Sequence, residues 1–213
     1  MMRNPLRSIA ASVASSYLAF LGMMISAVIP TYSYAEQQMA TFAGGCFWCS
    51  ESDFEKLEGV ISVTSGYTGG ELKNPSYKQV SSGRTKHTEG VQIIFDSEKV
   101  SYATLLEYFW KSIDPTDGGG QFCDRGQQYR SEIFYHNQDQ QQAAELSRNS
   151  LKKNAGLGAP IVTNITPATI FYPAEDYHQD YYLKNPVRYN YYRWGCGRDK
   201  RLKALWGSAA VGK

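Results

Sequence analysis

The sequence has little net charge, few histidines and no internal repeats, and these absences exclude several classes of protein. Its formal charge is +2, from 22 Lys and Arg against 20 Asp and Glu. This balance is too small to indicate binding to nucleic acid. Only three histidines are present. The single C-x-x-C motif has neither a second cysteine pair nor a His-x-x-x-His motif beside it, so we expect no metal and no other cofactor.

The first 35 residues have the layout of a secretory signal peptide. Arg3 and Arg7 give a positive start, an apolar run covers residues 9–30, and Ser33-Tyr34-Ala35 offers small residues for cleavage. We therefore predict a signal peptide over residues 1–35 and one domain over residues 36–213. An uncleaved membrane anchor is the alternative, because the apolar run is long enough to span a bilayer. Either arrangement predicts a periplasmic or otherwise exported location.

The four cysteines all lie in the predicted domain, at Cys46, Cys49, Cys123 and Cys196. An even number in an exported chain is typical of structural disulfides. Cys46, however, follows two glycines and opens a predicted helix over residues 46–57. The unpaired N–H groups and the dipole of a helix start favour negative charge. We therefore expect Cys46 to hold its nucleophilic thiolate at lower pH than a free cysteine does.

Strands and helices alternate along the domain. Hydrophobic spacing predicts strands at residues 39–42, 60–67, 88–95, 130–136 and 161–166. Helices are predicted at residues 46–57, after Ser101, and at 139–154, while residues 73–84 are expected to form a loop. We predict an α/β (α+β) two-layer sandwich with a ferredoxin-like mixed sheet as its core. After Phe171 we expect a long coil-like tail that packs tyrosines on the core, with a short helix near residues 200–206.

Two carboxylates and two tyrosines are candidates for acid–base chemistry. Glu89 shares a strand face with apolar side chains, so burial is expected to keep its carboxyl protonated as a general acid. A solvated glutamate at a strand end is the alternative. Asp124 lies in a loop rich in glycine and amides, where it forms either part of a polar recess or an ordinary turn. Tyr77 and Tyr129 carry phenols that can donate to a substrate oxygen or only pack.

Eight separated stretches resemble the A-type peptide methionine sulfoxide reductases, and they span almost the whole predicted domain. In chain order they are Gly45-Cys46-Phe47-Trp48, Gly66-Tyr67-Thr68-Gly69-Gly70, Asn74-Pro75-Ser76-Tyr77, His87-Thr88-Glu89, Asp114-Pro115-Thr116, the run from Asp124 to Ser131, the run from Ala174 to Tyr181, and Lys184-Asn185-Pro186.

The resemblance implies an oxidoreductase that repairs oxidised proteins by reducing the S epimer of methionine sulfoxide, free or in peptides. It implies that Cys46 is the nucleophile and that Glu89 protonates the sulfoxide oxygen. It places Phe47 and Trp48 around the substrate methyl group. The remaining polar residues around the oxygen are implied to be Tyr77, Asp124 and Tyr129. The fold implied is the same two-layer sandwich.

A sulfenic acid on Cys46 must be resolved by a second thiol. We favour Cys196, since the glycines on both sides of it would let the tail reach Cys46, and Cys49 is a possible relay three residues from the nucleophile. Cys123 lies beside Asp124 and can also take part. A thioredoxin-like protein is the expected reductant, and we expect a monomer. Two rival functions are a thioredoxin-like disulfide oxidoreductase that uses Cys46 and Cys49, and a binding module stapled by disulfides.

Overall fold

The structure is a computed structural model that describes residues 36–212. The predicted signal peptide over residues 1–35 lies outside the described residues. Within residues 36–212, no helix is both long and apolar enough to cross a membrane.

A six-stranded sheet forms the centre of the fold. Its strands are β1 (Gln37–Gly44), β2 (Val60–Thr68), β3 (Thr88–Asp96), β6 (Ser131–Tyr135), β7 (Asn164–Pro167) and β8 (Tyr172–Pro173). They lie in the order β7-β6-β1-β3-β2-β8. All neighbours are antiparallel except β6 and β7, which are parallel. The four central strands thus have the ferredoxin-like order, and the predicted fold class is confirmed. A separate hairpin pairs β4 (Gly120–Gln121) with β5 (Asp124–Arg125).

Seven α-helices accompany the strands within residues 36–212. They are α1 (Phe47–Phe54), α2 (Tyr77–Ser81), α3 (Tyr102–Lys111), α4 (Gln138–Asn154), α5 (Tyr181–Lys184), α6 (Pro186–Gly195) and α7 (Arg198–Trp206). The predicted cap of α3 is confirmed, because the Ser101 hydroxyl accepts a hydrogen bond from the Thr104 N–H at 3.0 Å. The predicted loop over residues 73–84 contains the short helix α2.

The core lies between one face of the sheet and helices α1 and α3. Phe42 of β1 stacks on Phe54 of α1 with ring centroids 5.5 Å apart, and on Phe109 of α3 at 4.9 Å. Both helices therefore cover the same face. Burying one such side chain stabilises the fold by about 1.5–3 kcal/mol, so this cluster fixes α1 firmly on the sheet.

The C-terminal segment differs in part from the predicted coil, because helices α5 and α6 occupy much of it, while the short helix predicted near residues 200–206 is confirmed as α7. Helix α6 begins with Pro186 at its first position, where the missing N–H is not needed. Its buried face carries Tyr189 and Arg193 rather than aliphatic residues. The usual hydrophobic pattern of a helix is therefore absent from this stretch of the sequence.

Candidate active site

Cys46 lies where the chain leaves β1 and starts α1, at the N-cap position of the helix. The turn depends on Gly45, whose φ is +84°. A Cβ on this residue would lie 2.6 Å from Cβ of Gln121, which no side chain tolerates. The tight turn thus brings the β4–β5 hairpin against the start of α1.

Cys46 and Cys49 are both buried free thiols that pack in one cluster. Burial and the neighbouring Cys49 thiol raise the pKa of the Cys46 thiol well above its usual value. The neighbouring Cys46 thiol, together with the positive charges of Arg198 and Arg193, lowers the pKa of Cys49. Of the two thiols, Cys49 is therefore the one that loses its proton more readily. This corrects the expectation of a lowered pKa at Cys46, because burial there outweighs the helix terminus.

Glu89 projects from β3 into the start of α1. Its Oε2 accepts the backbone N–H of Phe47 at 3.1 Å, and only 2% of the residue is exposed. Burial raises its pKa to about 8, with a smaller contribution from the charge of Asp124. The carboxyl is therefore mainly protonated at neutral pH, with Oε1 left to carry the proton. The inward orientation predicted from the strand pattern is confirmed.

Aromatic side chains surround the thiol pair. Trp48 stacks face to face on Tyr181, with ring centroids 3.7 Å apart and planes at 5°. Its indole N–H donates to Nδ1 of His178 at 3.1 Å. Phe47 is fully buried and its ring centroid lies 5.0 Å from that of His178. These contacts fix the orientation of both aromatic rings beside Cys46.

Three further polar groups lie near Glu89, namely the phenols of Tyr77 and Tyr129 and the carboxyl of Asp124. Burial raises the pKa of the Tyr77 phenol to about 12 and also raises the pKa of the Tyr129 phenol, and the nearby Glu89 adds to both increases. Both phenols therefore stay protonated and can donate hydrogen bonds. Asp124 of β5 accepts the hydroxyl of Tyr192 at 2.5 Å. Burial raises the pKa of Asp124, and this bond partly offsets the increase.

Cys123 and Cys196 form a disulfide at the edge of this region, with Cα atoms 4.9 Å apart. Cys123 is exposed and Cys196 is half-buried. The Cys196 Sγ lies 3.9 Å from Oδ2 of Asp124, which ties the disulfide to the polar side of the site. All the residues named from the sequence thus meet in one region, although Cys196 is bonded to Cys123 and not to Cys46.

Several neighbours of the thiols were not expected from the sequence. Tyr181, Tyr189 and Cys49 pack in one cluster with Cys46, and Tyr192 lies against it. Glu175 accepts both the Tyr67 hydroxyl at 2.8 Å and the Tyr77 N–H at 2.9 Å, which anchors the start of α2. Most of them come from the segment after Phe171. The signals there were the density of tyrosines and the family resemblance of the run from Ala174 to Tyr181, and neither assigned these residues to the site.

The geometry agrees with comparisons between this chain and known proteins. The sequence model described as peptide methionine sulfoxide reductase matches residues 38–210. The chain belongs to the peptide methionine sulfoxide reductase family. The relatives support the A type: a MsrA from Bacillus licheniformis is 51% identical over 172 residues, which cover 81% of this chain and 95% of that protein.

Two further comparisons give the extent of the likeness. A MsrA/MsrB protein from Vibrio cholerae is 52% identical over 174 residues, covering 82% of this chain but only 46% of that relative, so the chain spans about half of its length. The crystal structure of reduced Mxr1 from Saccharomyces cerevisiae superposes with a TM-score of 0.67 at 32% identity, covering 73% of this chain and 89% of that one. Methionine sulfoxide reduction is thus the family activity, and the expected oxidoreductase is confirmed.

Proposed function

We propose that this chain reduces the S epimer of methionine sulfoxide, free or within oxidised proteins, and so repairs them. The observation that carries the proposal is a protonated carboxyl buried beside a thiol, namely Glu89 next to Cys46. A sulfoxide sulfur is a poor electrophile until its oxygen is hydrogen-bonded or protonated, so this pair supplies the two groups that the reaction needs.

Each polar group has a role in the first step. Glu89 gives its proton to the sulfoxide oxygen, while the phenols of Tyr77 and Tyr129 donate hydrogen bonds to it. Cys46 gives its proton to Cys49, and the Cys46 sulfur forms a bond to the substrate sulfur. The protonated sulfoxide oxygen takes up a second proton, from Cys49, and leaves as water. A water molecule then attacks the Cys46 sulfur and returns a proton to Glu89, the S–S bond breaks, methionine leaves as a thioether, and Cys46 is left as a sulfenic acid. Asp124 completes the polar side of the site through its bond with Tyr192.

Phe47 and Trp48 select the epimer because they form the apolar side of the site. The substrate methyl group packs against them while the oxygen faces the polar groups. Because the methyl group and the sulfoxide oxygen are both held in place, only one configuration at the substrate sulfur exposes that sulfur to attack by Cys46. The contacts of Trp48 with Tyr181 and His178 keep this apolar side rigid.

A relay of disulfides then regenerates the nucleophile. Cys49 attacks the sulfenic sulfur of Cys46, and a disulfide and one water form. Cys196 next attacks Cys49 and releases Cys46, and Cys123 displaces Cys49 to complete the Cys123–Cys196 disulfide. In this order Cys49 resolves the sulfenic acid and Cys196 carries the oxidation to the surface, which differs from the expectation that Cys196 attacks Cys46 directly. The packing of Cys49 with Cys46 in one buried cluster, and the bond of Cys196 to Cys123, support this order.

A thioredoxin-like protein is the reductant in this proposal. The exposed Cys123 offers a sulfur that an external thiolate can reach. Mxr1 of Saccharomyces cerevisiae has been solved in complex with Trx2, at 22% identity to this chain and a TM-score of 0.50. We further propose that the chain acts as a monomer.

We also propose that the chain is exported to the periplasm. The support is the arrangement of Arg3 and Arg7, the apolar run and Ser33-Tyr34-Ala35. Fractionation of cells and sequencing of the N-terminus test it. Cleavage after Ala35 is expected, and an intact leader on a cytoplasmic protein would contradict it.

The function is tested by supplying each sulfoxide epimer of a blocked methionine to the reduced protein with dithiothreitol. Turnover of the S epimer is expected, with no turnover by Cys46→Ser and little of the R epimer. Equal turnover of both epimers, or activity retained by Cys46→Ser, would contradict the proposal.

A further inference from the structure

Two neighbouring residues of the β4–β5 hairpin are bonded to two residues at the end of α6. Cys123 forms the disulfide with Cys196, and the Cα atoms of the two are 4.9 Å apart. The next residue, Asp124, accepts the hydroxyl of Tyr192 at 2.5 Å. Residues four apart lie on the same side of a helix, so Tyr192 and Cys196 face the hairpin together. The helix end is thus joined to the hairpin by one covalent bond and one hydrogen bond.

The two connections meet at a single atom, Oδ2 of Asp124. This oxygen accepts the Tyr192 hydroxyl, and the Cys196 Sγ lies 3.9 Å from it. Cys196 also continues the helix, since its N–H donates to the carbonyl of Tyr192 at 2.8 Å. The backbone N–H of Cys123 donates to the Cys196 Sγ at 3.2 Å. The placement of Tyr192 therefore determines where the Cys196 sulfur lies relative to Cys123.

Tyr192 extends from the hairpin to the buried thiol pair. Its ring packs against the cluster that contains Cys46 and Cys49. It also meets the ring of Trp48 edge-on, with centroids 5.9 Å apart and planes at 84°. Tyr192 therefore lies between the thiols that are oxidised first and the disulfide that forms last in the proposed relay.

The backbone around Cys196 has room to move, although Tyr192 is held. Gly195 and Gly197 flank the cysteine, and a Cβ on either would have nothing within 4 Å. Gly197 has a φ of +71°, which glycine adopts at little cost. Exchange of Cys196 between partners thus requires only the last turn of α6 to shift, while Tyr192 one turn earlier keeps its place.

We propose that Tyr192 is a positioning residue of the relay. Its bond to Asp124 holds the last turn of α6 at the hairpin while the disulfide is reduced, and so keeps the Cys196 sulfur within reach of Cys123. This inference rests on the proposed order of the relay. In its closing step Cys123 gives up its proton and attacks the Cys196 sulfur, and the Cys49 sulfur leaves with the bonding electrons and takes up a proton.

The hydrogen bond and the disulfide favour the same arrangement, so each is expected to stabilise the other by the same factor. The test measures this coupling without sulfoxide reduction. In Cys46→Ser/Cys49→Ser, the two remaining cysteines are Cys123 and Cys196. The oxidised fraction of this parent is measured by alkylation and mass spectrometry in mixtures of reduced and oxidised dithiothreitol at pH 7.

Tyr192→Phe is then added to the parent, because it keeps the ring and removes the hydroxyl. The equilibrium constant for disulfide formation is expected to fall about tenfold, the lower end for a hydrogen bond to a charged group. Tyr191→Phe is the matched control on the neighbouring residue, which is 74% exposed, and it is expected to have no effect. Asp124→Ala is expected to lower the constant as Tyr192→Phe does. Adding Tyr192→Phe to Asp124→Ala is expected to change little more, because both changes remove one bond.

Two results would overturn the proposal. One is an unchanged constant in Tyr192→Phe, which would mean that other contacts hold the end of α6, such as Arg198 over the Phe122 ring. The other is a full tenfold effect of Tyr192→Phe in Asp124→Ala, which would mean that the hydroxyl does not act through the carboxyl. If the parent does not fold, the same constants are measured in the wild-type background by peptide mapping of the Cys123–Cys196 bond. A protein that released no methionine would refute the proposed function, yet the equilibrium would still report on Tyr192.

Discussion

Glu89→Gln separates the proton donor from the rest of the site, because it keeps the size of the side chain and removes the transferable proton. With a pKa of about 8 in place of the usual 4.5, the carboxyl is protonated in about 90% of molecules at pH 7 rather than about 0.3%. Burial thus increases the population of the acid about 300-fold. We expect the variant to lose about 10²–10⁴-fold in the rate of methionine release, the range for general acid–base groups.

The assay is a rapid-quench single turnover on reduced protein, with methionine measured between pH 5 and pH 9. The wild-type rate is expected to fall as pH rises above about 8, since the carboxylate that forms there no longer donates. Glu89→Gln is expected to lose this decrease. Glu107→Gln is the control, on a side chain that is 70% exposed on α3. Undiminished methionine release by Glu89→Gln would refute the reasoning.

Three further predictions concern the relay, the apolar side of the site and a buried carboxyl. Cys196→Ser is expected to retain the first turnover but lose at least about tenfold in cycling with thioredoxin, and unchanged cycling would exclude Cys196 from the relay. Trp48→Ala is expected to lower kcat/KM for the S epimer by about 10–100-fold, because the substrate methyl group loses its packing partner. The melting temperature of the variant is measured as a control for folding, and an unchanged kcat/KM would show that Trp48 does not contact the substrate. Burial raises the pKa of Glu51 to about 7, so its protonated form stabilises the fold below pH 4.5 and that stability is lost as pH rises to 7. Glu51→Gln should therefore raise the melting temperature more at pH 8 than at pH 5, and equal shifts would contradict this.

Much of the site could be predicted because its residues carry strong local signals. The alternation along β3 indicated that Glu89 points inward, and the glycines before Cys46 indicated a tight turn at a helix start. The pKa of Cys46 could not be predicted, because it depends on burial and on the sulfur of Cys49, which only the folded helix brings close. A helix start alone predicts a lowered pKa for Cys46, whereas the folded protein raises it.

Of the C-terminal helices, the sequence predicted only α7, as a short helix near residues 200–206, and α5 and α6 could not be predicted for a related reason. Helix α6 buries tyrosine and arginine, so it shows no aliphatic stripe. Its stability comes from partners far away in the sequence, such as the pair of Arg193 with Asp53. Such charge pairs have no periodicity that a reader of the sequence can recognise.

The central claim is that Cys46 reduces the sulfoxide and passes its oxidation to a second thiol. The most direct measurement is a single turnover on fully reduced protein without reductant, followed by mass mapping of its disulfides. The account predicts at least one equivalent of methionine from the S epimer, together with a Cys46–Cys49 bond that gives way to Cys123–Cys196. No methionine from either epimer would contradict it, as would methionine release without any bond at Cys46.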